Sequence, residues 1–181
     1  MPAQQADESI AYLDAIEARL SARGFATARN MALPDGFSAE LVASRLHYVT
    51  TWFSWRLPIS QHVLIRRVDS GTPEDLKGLF SSGFKYAKAV NTVPLLRGMR
   101  FGYTIIPCII VNHADEALIQ YVESSPRKHF ALGEFPVVVD LSTGCIHYWQ
   151  NIPTWEWGSV LYKDTRQLVK EDIDQAVAGE N

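Results

Sequence analysis

The stretch Tyr103–Val111 (Tyr-Thr-Ile-Ile-Pro-Cys-Ile-Ile-Val) constrains the fold more than any other part of the chain. It is the longest apolar-leaning run, rich in β-branched residues and bounded by Gly102 and Asn112. Such a run reads as a strand buried on both faces, and it is far too short to span a bilayer. Pro107 is its awkward member, because proline donates no ladder hydrogen bond and sits at edges or bulges. Either a bulge interrupts the strand there, or Tyr103–Ile106 and Cys108–Val111 pair with different neighbours. The apolar character of both halves favours the bulge.

The elements on either side look like layers covering this strand. Asp7 to Arg23 reads as a helix: Ile10, Leu13, Ile16 and Leu20 recur at helical spacing, and Gly24 suits the position just past its end. Phe25–Leu33 has the composition of a short edge strand, and Pro34-Asp35-Gly36 is a turn. Ala39–Arg56 is β-rich and is expected to end at Leu57-Pro58, with a further strand over His62–Val68. Thr72–Val90 is the clearest helix. Thr72 is its N-cap, Pro73 its first residue, and Asp75 completes a capping box with the shorter acid. Leu76, Leu79, Phe80, Gly83, Phe84 and Ala87 form its apolar face; close approach to the sheet would account for Gly83.

Beyond the central strand, Ala114 to about Ser124 reads as a helix capped by Asn112 or His113. Phe135–Leu141 and Cys145–Trp149 should form a hairpin about Ser142-Thr143-Gly144. A last amphipathic helix starting near Asp164 carries Leu168, Val169, Ile173 and Val177 as its stripe. Strands joined through a helix should pair in parallel. The expected fold is therefore α/β, leaning to α+β: a mixed sheet with helices on both faces and a C-terminal hairpin plus helix. One domain over residues 1–181 is expected, with 1–6 and 179–181 as flexible ends.

Composition narrows the function classes. A net charge of −3 argues against a protein dominated by nucleic-acid binding, while leaving room for a local basic patch. The first residues lack a basic segment followed by an apolar one, and only Cys108 and Cys145 are present. A cytoplasmic protein with reduced core thiols is expected.

The clearest non-random feature is charge asymmetry. Between Leu76 and Ala114 there is no Asp or Glu, whereas Lys77, Lys85, Lys88, Arg97 and Arg100 all fall inside. The pattern points to an anion site for a phosphate-containing ligand or nucleic acid, with Arg97 and Arg100 supplying bidentate donors. Tyr86, Phe101 and Tyr103 could stack bases beside them. Solvated lysines on the outer face of a helix would give the same pattern. His113, at a strand's C-terminal end and a helix start, occupies a place where open α/β sheets hold ligands. Together these make Lys85, Lys88, Arg97, Arg100, Tyr103 and His113 the candidate ligand-binding residues.

The aromatic clusters Trp52-Phe53-Ser54-Trp55 and Trp155-Glu156-Trp157 suggest self-association through exposed rings; rings closing the open ends of the core would look the same. None of the histidines (47, 62, 113, 129 and 147) sits in a metal-binding spacing, and there is no phosphate-binding loop and no nucleophile elbow. No metal or cofactor is implied, and no membrane partner.

The order helix, strands, helix, strand is similar to the core of the restriction-endonuclease-like nucleases. Those enzymes hold a metal ion with one acid and an acid-x-Lys on neighbouring strand positions. Asp75-Leu76-Lys77 has the spacing but lies in the first turn of a helix, so no catalytic residue is carried over. The sequence is read first as a non-catalytic binding protein with an anion-favouring patch that forms homo-oligomers. The alternative is a metal-dependent nuclease of that class, or an inactive relative.

Overall fold

The computed structural model describes residues 3–50, 56–90, 102–124, 132–152 and 159–178. Seven strands form one mixed sheet. They are β1 (Ala26–Ala32), β2 (Ser38–Thr50), β3 (Arg56–Val68), β4 (Tyr103–Val111), β5 (Leu132–Glu134), β6 (Val137–Asp140) and β7 (Cys145–Tyr148). The sheet order is β1-β2-β3-β4-β6-β7, with β5 also pairing β4. The β1–β2, β2–β3 and β6–β7 pairs are antiparallel, whereas β4 runs parallel to β3, β5 and β6. The expected α/β class, the parallel crossovers and the C-terminal hairpin are all present.

Helices cover both faces because the strands alternate in the side chains they present. In β3, Val63 and Ile65 pack on the face covered by α1 (Ala3–Ala22), through Leu13, Ile16 and Leu20. Leu168, Val169 and Ile173 of a C-terminal helical run cover the same face. That run comprises α4 (Ser159–Leu168), a π-helical turn (Val169–Asp174) and α5 (Gln175–Ala178), so it starts before the expected Asp164. Leu64 points the other way, against Leu76, Leu79 and Ala87 of α2 (Pro73–Val90) and Leu118 and Val122 of α3 (Glu116–Glu123). Every residue of β4 after Tyr103 is buried, as its continuous apolar character requires.

Two prolines behave differently from expectation, and hydrogen-bond direction explains both. Pro107 makes no bulge, because β4 keeps an unbroken register with β3 from Ser60↔Tyr103 to Val68↔Val111. On the other side its halves do pair with different neighbours, β5 and then β6. The Ile105 carbonyl accepts from Phe135 N–H at 3.0 Å, so positions 105 and 107 face that side. The missing N–H of Pro107 thus falls where β5 gives way to β6. Similarly, Leu57-Pro58 does not end a strand: β2 stops at Thr50, and β3 begins at Arg56 and runs through Pro58. Ser60 N–H donates to Gly102 O at 2.7 Å, on the β4 side. Pro58, two residues earlier, faces the same side before β4 has begun.

Local signals set the helix ends. Gly24 adopts φ +82° past α1; its N–H donates to Ser21 O and Phe25 N–H to Leu20 O, a Schellman motif. Thr72 and Asp75 exchange side chain-to-backbone hydrogen bonds of 3.2 and 2.9 Å at the start of α2, the expected capping box. The cap of α3 is Asp115, whose Oδ1 accepts from Leu118 N–H at 2.8 Å, in place of Asn112 or His113. The cysteines also divide. Cys108 is a buried thiol as expected, but Cys145 is exposed at the start of the edge strand β7. Among the described residues no helix is long and apolar enough to cross a membrane.

Candidate functional site

The sheet face beneath α2 changes from closed core to open surface along β2. Val42 is 1% exposed, Ser44 is intermediate, Leu46 is 47% exposed and Tyr48 is 52% exposed. The register places Ser44, His62, Ile105 and Glu134 in one row across β2, β3, β4 and β5. Leu46, Ser60 and Tyr103 form the next row outward. The last turns of α2 lie over these rows. The Tyr86 ring meets His62 edge-on at 6.0 Å, and Phe84 meets Tyr103 edge-on at 5.7 Å. The result is a ledge with an aromatic wall and a polar floor.

His62 is the centre of that floor. It is 1% exposed, with Ser44 Oγ 2.8 Å from Nδ1 and Ser60 Oγ 2.7 Å from Nε2. Burial disfavours the imidazolium and pushes the pKa down to about 4, so the ring is neutral near pH 7. A neutral imidazole has one donor and one acceptor nitrogen. One serine therefore gives His62 a hydrogen bond and the other receives one.

The predicted cations divide. Lys85 does not stand free, since its Nζ lies 2.8 and 2.6 Å from the two carboxylate oxygens of Asp35. Lys77 is held by Glu74 at 2.8 Å and sits 5.3 Å from the Tyr121 ring centroid. Lys88 stands 5.4 Å over the Phe84 ring, the same ring that Tyr103 meets. Lys88 and Tyr103 are thus brought to one surface. Arg97, Arg100 and Phe101 lie outside the described residues, as do Trp52, Phe53, Trp55, Trp155 and Trp157.

His113 is elsewhere. It follows the C-terminal end of β4, whereas Tyr103 begins that strand, and the strand between them spans roughly 26 Å. The His113 side chain is 74% exposed, and its Nδ1 lies 3.1 Å from Ser142 Oγ. That hydroxyl donates to Asp140 Oδ1 at 2.7 Å. Burial alone would raise the Asp140 carboxyl. Hydrogen bonds from Ser142, Ala114 N–H and Thr143 outweigh it and hold the group below its ordinary value. Asp140 is the anchor of the hairpin turn, and His113 leans on that anchor.

No family model, curated protein or solved structure matches this chain.

The acid-x-Lys spacing of Asp75-Leu76-Lys77 serves other ends here. Asp75 accepts the Thr72 hydroxyl and N–H at 2.7 and 2.9 Å, and Lys77 pairs with Glu74. Among the described residues no three potential metal-ligating side chains come together.

The opposite face carries a second polar network. Arg45 Nε donates to Gln61 Oε1 at 2.7 Å, and Gln61 Nε2 donates to Asp164 Oδ2 at 2.8 Å. His47 Nε2 lies 3.4 Å from Asp164 Oδ1. Arg23 is paired with Glu171 and, at 2.6 Å, with Asp172. Desolvation lowers the Arg45 pKa and raises that of Asp172. These bonds join the C-terminal helices to the end of α1 and to β2 and β3, a stapling role.

Reading the sequence did not single out Ser44, Ser60 or His62 as a group. A signal was present: Ser60 and His62 occupy alternate positions of β3, on the same phase as the buried Leu64. Bringing Ser44 opposite His62 requires the β2–β3 register, which the sequence leaves open.

Proposed function

We propose that this chain is a non-catalytic binding protein. Its ligand class is an aromatic base carrying phosphate, either a free nucleotide or a single-stranded nucleic acid, held on the ledge beside α2. One observation carries the reading: Lys88 and the half-buried Tyr103 meet at the same Phe84 ring, so a cation and stacking surface adjoin. Base–aromatic stacking and a cation for the phosphate are the two ingredients such sites combine. Leu46 and Tyr48 extend the apolar surface, while Ser44 supplies polarity within it. On sequence grounds the proposal extends to Arg97 and Arg100, in the connection between Val90 and Gly102.

The test is fluorescence polarisation with a labelled oligothymidylate, with ATP as competitor. Tyr103→Ala should weaken the oligonucleotide by about tenfold, from a stacking contribution of roughly 1–3 kcal/mol. Lys88→Gln should weaken it and flatten the dependence on salt. Competition by ATP at comparable concentrations would identify a nucleotide site; its absence, with tight oligonucleotide binding, a strand site. Wild-type protein that binds neither probe would overturn the reading.

A further inference from the structure

The floor of the ledge contains a hydrogen-bond chain, Ser60–His62–Ser44, whose direction depends on the His62 tautomer. His62 is neutral and has a serine on each nitrogen, so two arrangements exist. In one, Nε2 carries the proton. His62 then donates to Ser60, and Ser44 donates to Nδ1. In the other, Nδ1 carries the proton, His62 donates to Ser44, and Ser60 donates to Nε2.

The two differ in which serine hydroxyl hydrogen is left over. Ser60 is 8% exposed, and among the described residues its hydroxyl is hydrogen-bonded to His62. With the proton on Nε2, the spare hydrogen belongs to Ser60 and sits in the core, at the full desolvation cost of an unmade bond. With the proton on Nδ1, Ser60 is satisfied and the spare hydrogen belongs to Ser44. Ser44 lies where β2 opens toward Leu46 and Tyr48, so that hydrogen reaches the ledge surface. Burial therefore selects the second arrangement.

We propose that the chain Ser60–His62–Ser44 holds His62 with its proton on Nδ1 and presents the Ser44 hydroxyl as a hydrogen-bond donor to an acceptor oxygen of the bound ligand. This rests on the ledge being a ligand site. Within that reading it names a residue that sets specificity. Ser44 prefers a ligand offering a carbonyl or phosphate oxygen at the floor, because its O–H is the unused donor while His62 already takes one of its two acceptor lone pairs. An amine or amide N–H at the same point finds a weaker acceptor. The relay also gives hydrogen-bond partners to a histidine buried beside the apolar Val42, Leu64 and Ile105.

Two measurements test it. Long-range proton–nitrogen NMR of the unliganded protein reads the His62 tautomer directly; an Nδ1 proton is expected, and an Nε2 proton overturns the relay. The second is polarisation with the oligothymidylate probe on Ser44→Ala, Ser44→Thr and Tyr103→Ala, each first checked for unchanged thermal unfolding. Ser44→Ala should bind about five- to tenfold more weakly, and Ser44→Thr, which keeps the hydroxyl, should recover most of that loss. Normal binding by Ser44→Ala alongside weakened binding by Tyr103→Ala overturns the donor role and leaves the ledge standing. Failure of the wild-type chain to bind the probe or ATP overturns the ledge and the donor together.

Discussion

Gly83 of α2 and Leu64 of β3 touch with no room for a side chain between them. A methyl group on Gly83 would lie 2.7 Å from Leu64 Cδ1 and 3.1 Å from Ile105 Cγ2. Both neighbours are fully buried, so neither can step aside cheaply. This contact sets how closely α2 approaches the sheet, and with it the height of Phe84 and Tyr86 above the ledge.

Replacing Gly83 by alanine should therefore destabilise the protein. Helix propensity favours alanine by roughly 1 kcal/mol, while overpacking a closed core costs about 1–3 kcal/mol. A net loss of up to about 2 kcal/mol is expected, read as a lower urea midpoint with unchanged slope. Unchanged or increased stability would mean that α2 is not seated this closely.

Gly24 gives a different case of the same residue type. It has φ +82° and open space around it, so its side chain meets nothing. The cost of Gly24→Ala is then conformational alone, about 1 kcal/mol from the left-handed backbone. Circular dichroism should show full helix content at 25 °C with a lowered melting temperature. A variant as stable as wild type would count against the Schellman end of α1.

His62 makes stability depend on pH in a defined window. Its folded pKa is about 4, below the ordinary value of 6.5, so the unfolded chain binds the extra proton between these limits. The contribution is fully present above about pH 6.5, falls as pH drops through the window, and is exhausted below about pH 4. The size is a few kcal/mol, at 1.36 kcal/mol per unit. Urea midpoints of wild type and His62→Gln should diverge less as pH is lowered from 7 to 4. Parallel pH profiles for the two proteins would show that His62 is not buried neutral.

The reach of sequence reasoning follows from what is local. The Gly24 helix end, the Thr72–Asp75 capping box and the buried strand Tyr103–Val111 are set by neighbours in the chain, and each was legible. The two prolines were misread because their tolerance depends on where a partner strand begins or ends, at Gly102 and at Phe135-Pro136. The cap of α3 was misassigned because Asn112, His113 and Asp115 all have capping side chains, and only the path of the chain leaving β4 chooses among them. At the candidate site, the aromatic and cationic residues of α2 were visible as a pattern. Pairing of Lys85 with Asp35 and the meeting of Ser44 with His62 join distant segments, so neither could be read along the chain.

The division of the thiols can be checked chemically. Cys108 is fully buried and desolvation pushes its pKa up to about 12, whereas Cys145 is exposed. Thiolate is the reactive form. Native protein at pH 8 should consume one equivalent of a thiol reagent promptly, with the second reacting only on unfolding. Mass spectrometry should place the first adduct on Cys145. Rapid labelling of both cysteines would contradict the burial of β4.

Asp35 decides how much of the α2 surface is available to an anion. Its carboxylate grips Lys85 through both oxygens, and the two side chains are 44% and 54% exposed. An exposed pair of this kind contributes little to stability, commonly below about 1 kcal/mol. Asp35→Asn should therefore leave the melting temperature nearly unchanged while releasing the Lys85 charge. If Lys85 borders the ligand on the ledge, the variant should bind the oligothymidylate probe several-fold more tightly at low salt, and the gain should fade as salt is raised. Lys85→Gln in the same background should abolish the gain. Binding that is indifferent to Asp35→Asn would confine the cationic part of the site to Lys88 and the connection carrying Arg97 and Arg100, and would assign Lys85 to holding the Pro34–Gly36 turn against α2.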